Sequence, residues 1–271
     1  MSMATHQADP TTTNSRLPAR LSGRIHWGAA RAMLVSEGRL LARNPGVVIW
    51  AVVLPIATAI ILGSIPAVRA PSKNLGGLSY FQVYQPILVF FAITLLAMQA
   101  LPDVLTRYRE MGVLKRLRTT PASPSLLLFA QLTLILGVSI GCMVLMVVVP
   151  PLAGAPWPRN VGGFVVTYLL GAWAILGLGL VISSRFRNAK VAAGFGSFLF
   201  FVMLFFAGLW LPRPNMPGWL RHISDFTPSG AAVQGLTNSC AGHWPSALNV
   251  IVLAVWGAVT LRLAIRIFKW E

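Results

Sequence analysis

The side chains best suited to chemistry crowd into one short stretch. Arg107, Arg109, Glu110, Lys115, Arg116 and Arg118 follow one another closely, and Thr119-Thr120-Pro121 closes the stretch. Val104, Tyr108, Met111 and Leu114 are spaced for one helical face, so its first part reads as a short amphipathic helix. A charge-dense helix ended by a proline turn suits docking to a soluble protein. A solvated basic loop lying on lipid headgroups is the plainer alternative. Elsewhere reactive residues are sparse. His222 and Asp225 have no nucleophile beside them, so neither a hydrolytic nor a metal site is indicated. Cys142 and Cys240 belong to no CxxC pair or metal-ligand cluster. A phosphate cradle needs G-x-x-x-x-G-K-[ST], and Gly194-Phe195-Gly196-Ser197 lacks the lysine. This chain is therefore expected to bind no cofactor and to perform no catalysis of its own.

The elements around that stretch are apolar. With 56% hydrophobic and 10% charged residues, the chain is too apolar for a soluble domain. Six long apolar runs cut it, at about 47–65, 86–101, 126–149, 161–182, 191–211 and 247–267. Each is near the ~20 residues that cross a hydrocarbon core, and none alternates as a barrel strand would. They predict an all-α integral membrane protein with six transmembrane helices. Of 22 Lys and Arg, 17 lie in alternate gaps and five in the others. Positive residues stay inside, so both termini are expected in the cytoplasm and the chain multi-pass in the cell membrane. The net charge of +16 then reflects topology and attraction to anionic lipid, not nucleic-acid binding. Residues 1–23 read as a disordered cytoplasmic tail, and 24–271 as one membrane domain.

Three further elements stand out. From Arg24 to Arg43 the pattern is helical: Trp27, Ala30, Met33, Leu34, Leu40 and Leu41 share a face opposite Arg24, Arg31, Arg39 and Arg43. This predicts an interfacial helix, ended by Asn44-Pro45. Glu37 falls in the middle of the apolar face. Either it snorkels or pairs with a neighbouring Arg, or this face packs on protein and Glu37 meets a basic partner there. Pro55 is expected to kink the first span. Gly137, Gly141, Gly171, Gly177 and Gly179 mark helix-packing seams. The outer segment from Pro212 to Pro245 reads either as an aromatic belt or as a short re-entrant helix forming an exit gate. Met216, Pro217 and Trp219 are its gate candidates, while Phe201, Phe205, Phe206 and Trp210 could line an apolar substrate path.

No span carries an ionisable residue at its centre. Ion- and proton-coupled carriers usually keep one, at about 2.5–3.5 kcal/mol each, so that rival class and channels are disfavoured. An integral-membrane enzyme would need a His/Asp/Glu or Ser/His cluster at one membrane face, and none is visible.

Arg109-Glu110-Met111-Gly112, followed by Leu114-Lys115-Arg116-Leu117-Arg118 and Thr120-Pro121, resembles the cytoplasmic signature of type-2 ATP-binding-cassette exporter permeases. Arg43-Asn44-Pro45 is similar to that family's entry to the first span. Leu211-Pro212, Met216-Pro217-Gly218-Trp219-Leu220, Thr227-Pro228 and Ala232 resemble its outer segment. The resemblance covers about Trp27 to Phe268. It implies a coupling helix between the second and third spans that sits in a groove of a separate ATPase. Arg109, Glu110, Gly112, Leu117, Thr120 and Pro121 match the motif, with Arg107, Lys115 and Arg116 beside them. The interfacial helix would pack next to the coupling helix. ATP and Mg would bind the partner subunit. Two permease copies, a homodimer or a pair of homologues, would move an amphipathic drug-like, antibiotic or lipid-linked substrate outward. Tyr108 stands where the family often has an acidic residue, which predicts a weaker docking contact.

Overall fold

The computed structural model describes residues 27–75, 77–112, 124–152 and 154–267. Among the described residues nine longer helices carry the fold, besides a single helical turn at Pro66–Arg69: α1 (Trp27–Ala42), α2 (Pro45–Ser64), α3 (Tyr80–Glu110), α4 (Pro124–Leu152), α5 (Val161–Arg185), α6 (Ala189–Ala207), α7 (Gly218–Asp225), α8 (Pro228–Cys240) and α9 (Ala247–Ile267). Among the described residues there are no β-strands, only an isolated bridge between Pro71 and Ser79. Six of these helices, α2 to α6 and α9, are long and apolar enough to span a bilayer. The protein is an all-α, multi-pass membrane protein.

Polar side chains set several helix starts. Ser79 and Gln82 form a reciprocal capping box at α3. Asn160 and Asn188 accept from Gly163 and Val191 to open α5 and α6, and Thr227 does the same for α8. Inside the bundle, α3 and α5 bury 78% and 61% of their apolar stretches, whereas the other four spans bury a third or less. Those two helices are the core, and the rest surround them. The short α8 is the exception to size. Ten of its 13 residues are buried, packed among α3, α5, α6 and α9. At 13 residues it is too short to be one of the six spans, yet it lies buried among them.

Prolines inside spans leave carbonyls without their helical donors, and neighbouring groups take them up. Pro150 cannot serve Met146, whose carbonyl instead accepts from the buried Gln85 amide at 2.9 Å, tying α3 to α4. Pro55 likewise frees the Ala51 carbonyl, toward which the Cys142 thiol points at 4.0 Å. A π-helical turn over Ile49–Val53 precedes Pro55, and another over Leu96–Ala100 precedes Pro102. The second turn pushes the Ala97 and Met98 carbonyls outward against Gly179 of α5 and Gly196 of α6, where any Cβ would collide with them. Both glycines are therefore dictated by this bulge.

The second span departs from expectation. The apolar run predicts 86–101 with a separate amphipathic helix after it. Instead the chain stays helical from Tyr80 through Glu110, 31 residues, so the amphipathic segment is the end of the span itself. The π turn absorbs Pro102, and no residue breaks the helix before Gly112. Gly112 has φ +68, a left-handed conformation that stops α3 and that glycine adopts at least cost.

Candidate functional site

Arg109 and Glu110 are the last residues of α3, and both turn onto the junction between α5 and α6. The Arg109 Nη1 donates to the carbonyls of Ser183 and Phe186 at 3.1 and 3.2 Å, at the C-terminal end of α5. The Ala189 backbone N–H, the first of α6, donates to Glu110 Oε1 at 2.8 Å. A cation thus sits at a helix C-terminus and an anion at the next helix N-terminus, each matched to the local end of the helix dipole. The pair clamps three helices together. Sequence reading expects both residues at a partner contact; in the structure they also hydrogen-bond within the fold, with Arg109 half-buried and Glu110 still exposed. Their neighbour Arg107 does face outward, pairing with Asp103 at 2.9 Å.

Gly112 follows at the helix stop. Lys115, Arg116, Leu117, Thr120 and Pro121 lie outside the described residues, as do the 1–23 tail and the side chain of Trp27. Among the remaining interfacial-helix candidates, Arg31 and Arg43 are exposed, and Glu37 is buried at 6% exposure. The face of α1 that packs on α4 is centred on Glu37, while Leu40 is left 55% exposed. Glu37 faces α3 and α4, but the basic partner expected for it is not what it meets. Its partners are not basic: Tyr108 Oη donates to both carboxylate oxygens at 2.9 and 3.0 Å, and Gln131 Nε2 donates at 2.9 Å. Burial pushes the Glu37 carboxyl above its ordinary range, and the Tyr108 hydrogen bond opposes that rise.

Tyr108 thereby gains a role that its sequence position hid. Standing where an acidic residue is more usual, it reads as a weakened docking contact; in the fold it joins α3 to α1. Gln131 was missed entirely. One polar amide in a long apolar run was the available signal, since such a group needs a buried partner.

A second feature lies along the same helices. A cavity of about 570 Å³ opens between α2, α3 and α6, walled by Trp50, Leu54, Phe91, Phe201 and Trp210, with Gln99 and Asp103 as its polar groups. Two of the expected path residues, Phe201 and Trp210, line it, with ring centroids 6.0 Å apart. Phe205, one turn further along α6, does not; it packs edge-on against Phe206. The gate candidates also lie elsewhere. Met216 is buried, while Pro217 and Trp219 are exposed at the start of α7. That outer segment is held by an Arg213–Asp225 ion pair and by the Trp256 indole donating to the Phe226 carbonyl at 2.8 Å.

Among the described residues no His, Cys, Asp or Glu cluster could hold a metal ion. Both cysteines are free and buried.

Comparison with known proteins identifies the family. Residues 29–240 match the family model "ABC-2 type transporter". The chain is 23% identical over 234 residues to "Putative transport permease YvfS" of Bacillus subtilis (strain 168), covering 85% of this chain and 93% of that protein. With the family model spanning most of the chain, including the clamp, the buried glutamate and the cavity, this protein belongs to the ABC-2 type transporter family.

Proposed function

We propose that this membrane permease subunit of an ABC transporter works as an exporter of amphipathic molecules, driven by ATP hydrolysis on a separate subunit. The observation that carries this is the clamp of Arg109 and Glu110. It fixes the end of α3 to α5 and α6 immediately before residues 113–123, the segment whose motif suggests ATPase docking. A push on that segment would move the three helices together rather than bending one loop. Two of them, α3 and α6, also wall the large cavity, so the same movement would reshape a substrate path. In this reading ATP and Mg stay on the partner, and Arg107, Lys115, Arg116, Leu117, Thr120 and Pro121 form the docking surface.

The α1 end of the bundle then faces the cytoplasm, consistent with the distribution of Lys and Arg. A second permease copy is part of the proposal. The outward face of α6 carries Phe195, Phe198 and Phe201 at 43%, 64% and 55% exposure, bordering the open side of the cavity. A homodimer would cover that aromatic face and close the path. The α7–α8 segment, with Met216, Pro217 and Trp219, would act as the outer gate.

Co-expression with its ATPase tests the reading. Export of an amphipathic dye should require both chains, and cysteines at Arg116 and in the ATPase groove should crosslink. The purified chain alone should hydrolyse no ATP. Dye export by this chain in the absence of any ATPase would overturn the proposal.

A further inference from the structure

A second cavity, of about 400 Å³, lies at the α1 end between α1, α2, α3 and α4. Its size falls in the range of small-molecule sites, about 300–1,000 Å³. Leu40, Leu41, Val104 and Ile135 make most of its wall apolar, and Tyr108 adds an aromatic ring. Its charged groups are Glu37, Asp103 and Arg107.

The distribution of acidic residues makes this cavity unusual for a chain with a net charge of +16. Four carboxylates lie among the described residues. Glu110 caps α6 and Asp225 is paired with Arg213. The other two, Glu37 and Asp103, both line this space, Asp103 at its border with the larger cavity. Among the described residues no Lys or Arg forms an ion pair with Glu37, whose three hydrogen bonds come from neutral donors. A buried carboxylate without a counter-cation is costly, and a bound cation would relieve that cost. Asp103 does have a partner, but the Arg107 side chain is 58% exposed. An exposed i,i+4 pair of this kind contributes only about 0.3–0.5 kcal/mol, so Arg107 can swing out to solvent when a stronger cation arrives.

The geometry points to a binding site for amphipathic organic cations in this cavity, with Glu37 and Asp103 receiving the charge and the aliphatic wall the apolar body. The aromatic ring of Tyr108 offers a further attraction for a cation. The cavity also adjoins the larger one: Val47, Ala100 and Asp103 line both. A cation seated by Glu37 is therefore one step from the path between α2, α3 and α6. Calling this molecule a substrate rests on the exporter reading above; its binding is a property of this chain alone.

The test is equilibrium binding to the purified full-length chain in lipid nanodiscs, without ATPase. The probe is labelled tetraphenylphosphonium, compared with tetraphenylborate, an ion of the same shape and opposite charge. Saturable binding of the cation and none of the anion is expected. Glu37→Gln, which keeps an acceptor for Tyr108, should weaken cation binding about tenfold, the equivalent of 1.4 kcal/mol. Asp103→Asn, at a side chain 35% exposed, should weaken it severalfold. Arg107→Ala, by freeing Asp103, should tighten it. Equal binding of both ions, or cation binding unchanged in Asp103→Asn, would overturn the site as an ordinary apolar pocket. Intact cation binding together with failed ATP-driven export would overturn the exporter reading and leave the site standing.

Discussion

Replacing Glu110 gives the sharpest check on the clamp. The Ala189 N–H belongs to the first turn of α6, where backbone donors have no intrahelical acceptor, and Glu110 Oε1 supplies one at 2.8 Å. Losing a side-chain acceptor at a helix start costs about 1 kcal/mol. Glu110 is exposed, so its charge adds only the lower end of the dipole effect, about 0.3 kcal/mol. Glu110→Ala should therefore loosen the start of α6 by about 1.3 kcal/mol, whereas Glu110→Gln, keeping the acceptor, should lose only about 0.3 kcal/mol. Hydrogen exchange reads this directly. In nanodiscs, a peptide covering residues 186–195 should exchange roughly tenfold faster in the alanine variant and under twofold faster in the glutamine variant, since 1.4 kcal/mol is a factor of ten. Peptides from α9 serve as the control and should not change. Unaltered exchange at 186–195 in Glu110→Ala, or the same acceleration in both variants, would refute the capping role. Export should fall with exchange protection while membrane insertion stays at wild-type level.

The remaining expectations concern other joints of the fold. Glu37 has its carboxyl raised above the ordinary value of about 4.3, so it is easier to bury protonated. Its contribution to stability is thus greatest at acid pH and is lost as pH rises through the folded-state value; melting temperature should fall over that range, and Glu37→Gln should flatten the trend. A wild-type slope retained in the variant would assign it to another group. Gly196→Ala drives a Cβ into the Met98 carbonyl and should cost about 1–3 kcal/mol, seen as a lower melting temperature with Gly194→Ala, which meets open space, as the neutral comparison. Gly112→Ala puts a side chain at φ +68 and should cost about 1 kcal/mol, with Gly112→Asn closer to wild type in the same melt. Equal behaviour of Ala and Asn there would mean that the left-handed turn is not what requires glycine.

Some of this molecule is dictated by the chain alone. Burying long apolar runs in lipid leaves helix as the solution, so six spans follow from composition and length, whatever they pack against. An amphipathic α1 ended by Asn44-Pro45 follows in the same way, whereas the helix stop at Gly112, short of the Thr119-Thr120-Pro121 end expected, is seen only in the fold. These are local consequences of period, side-chain volume and backbone freedom. What packs on what is a different kind of question. Nothing in the spacing of Arg109 and Glu110 says that they cap α5 and α6, because residues 70 to 80 positions away supply the carbonyls and the N–H. Tyr108 and Gln131 become partners of Glu37 only when α1 is laid against α3 and α4. Phe201 and Phe205 sit four apart on one apolar helix, yet of the two only Phe201 borders the cavity, a distinction their spacing does not carry. Local sequence fixes helices because their hydrogen bonds are local; the clamp, the buried glutamate and the cavities depend on contacts that exist only after those helices have been brought together.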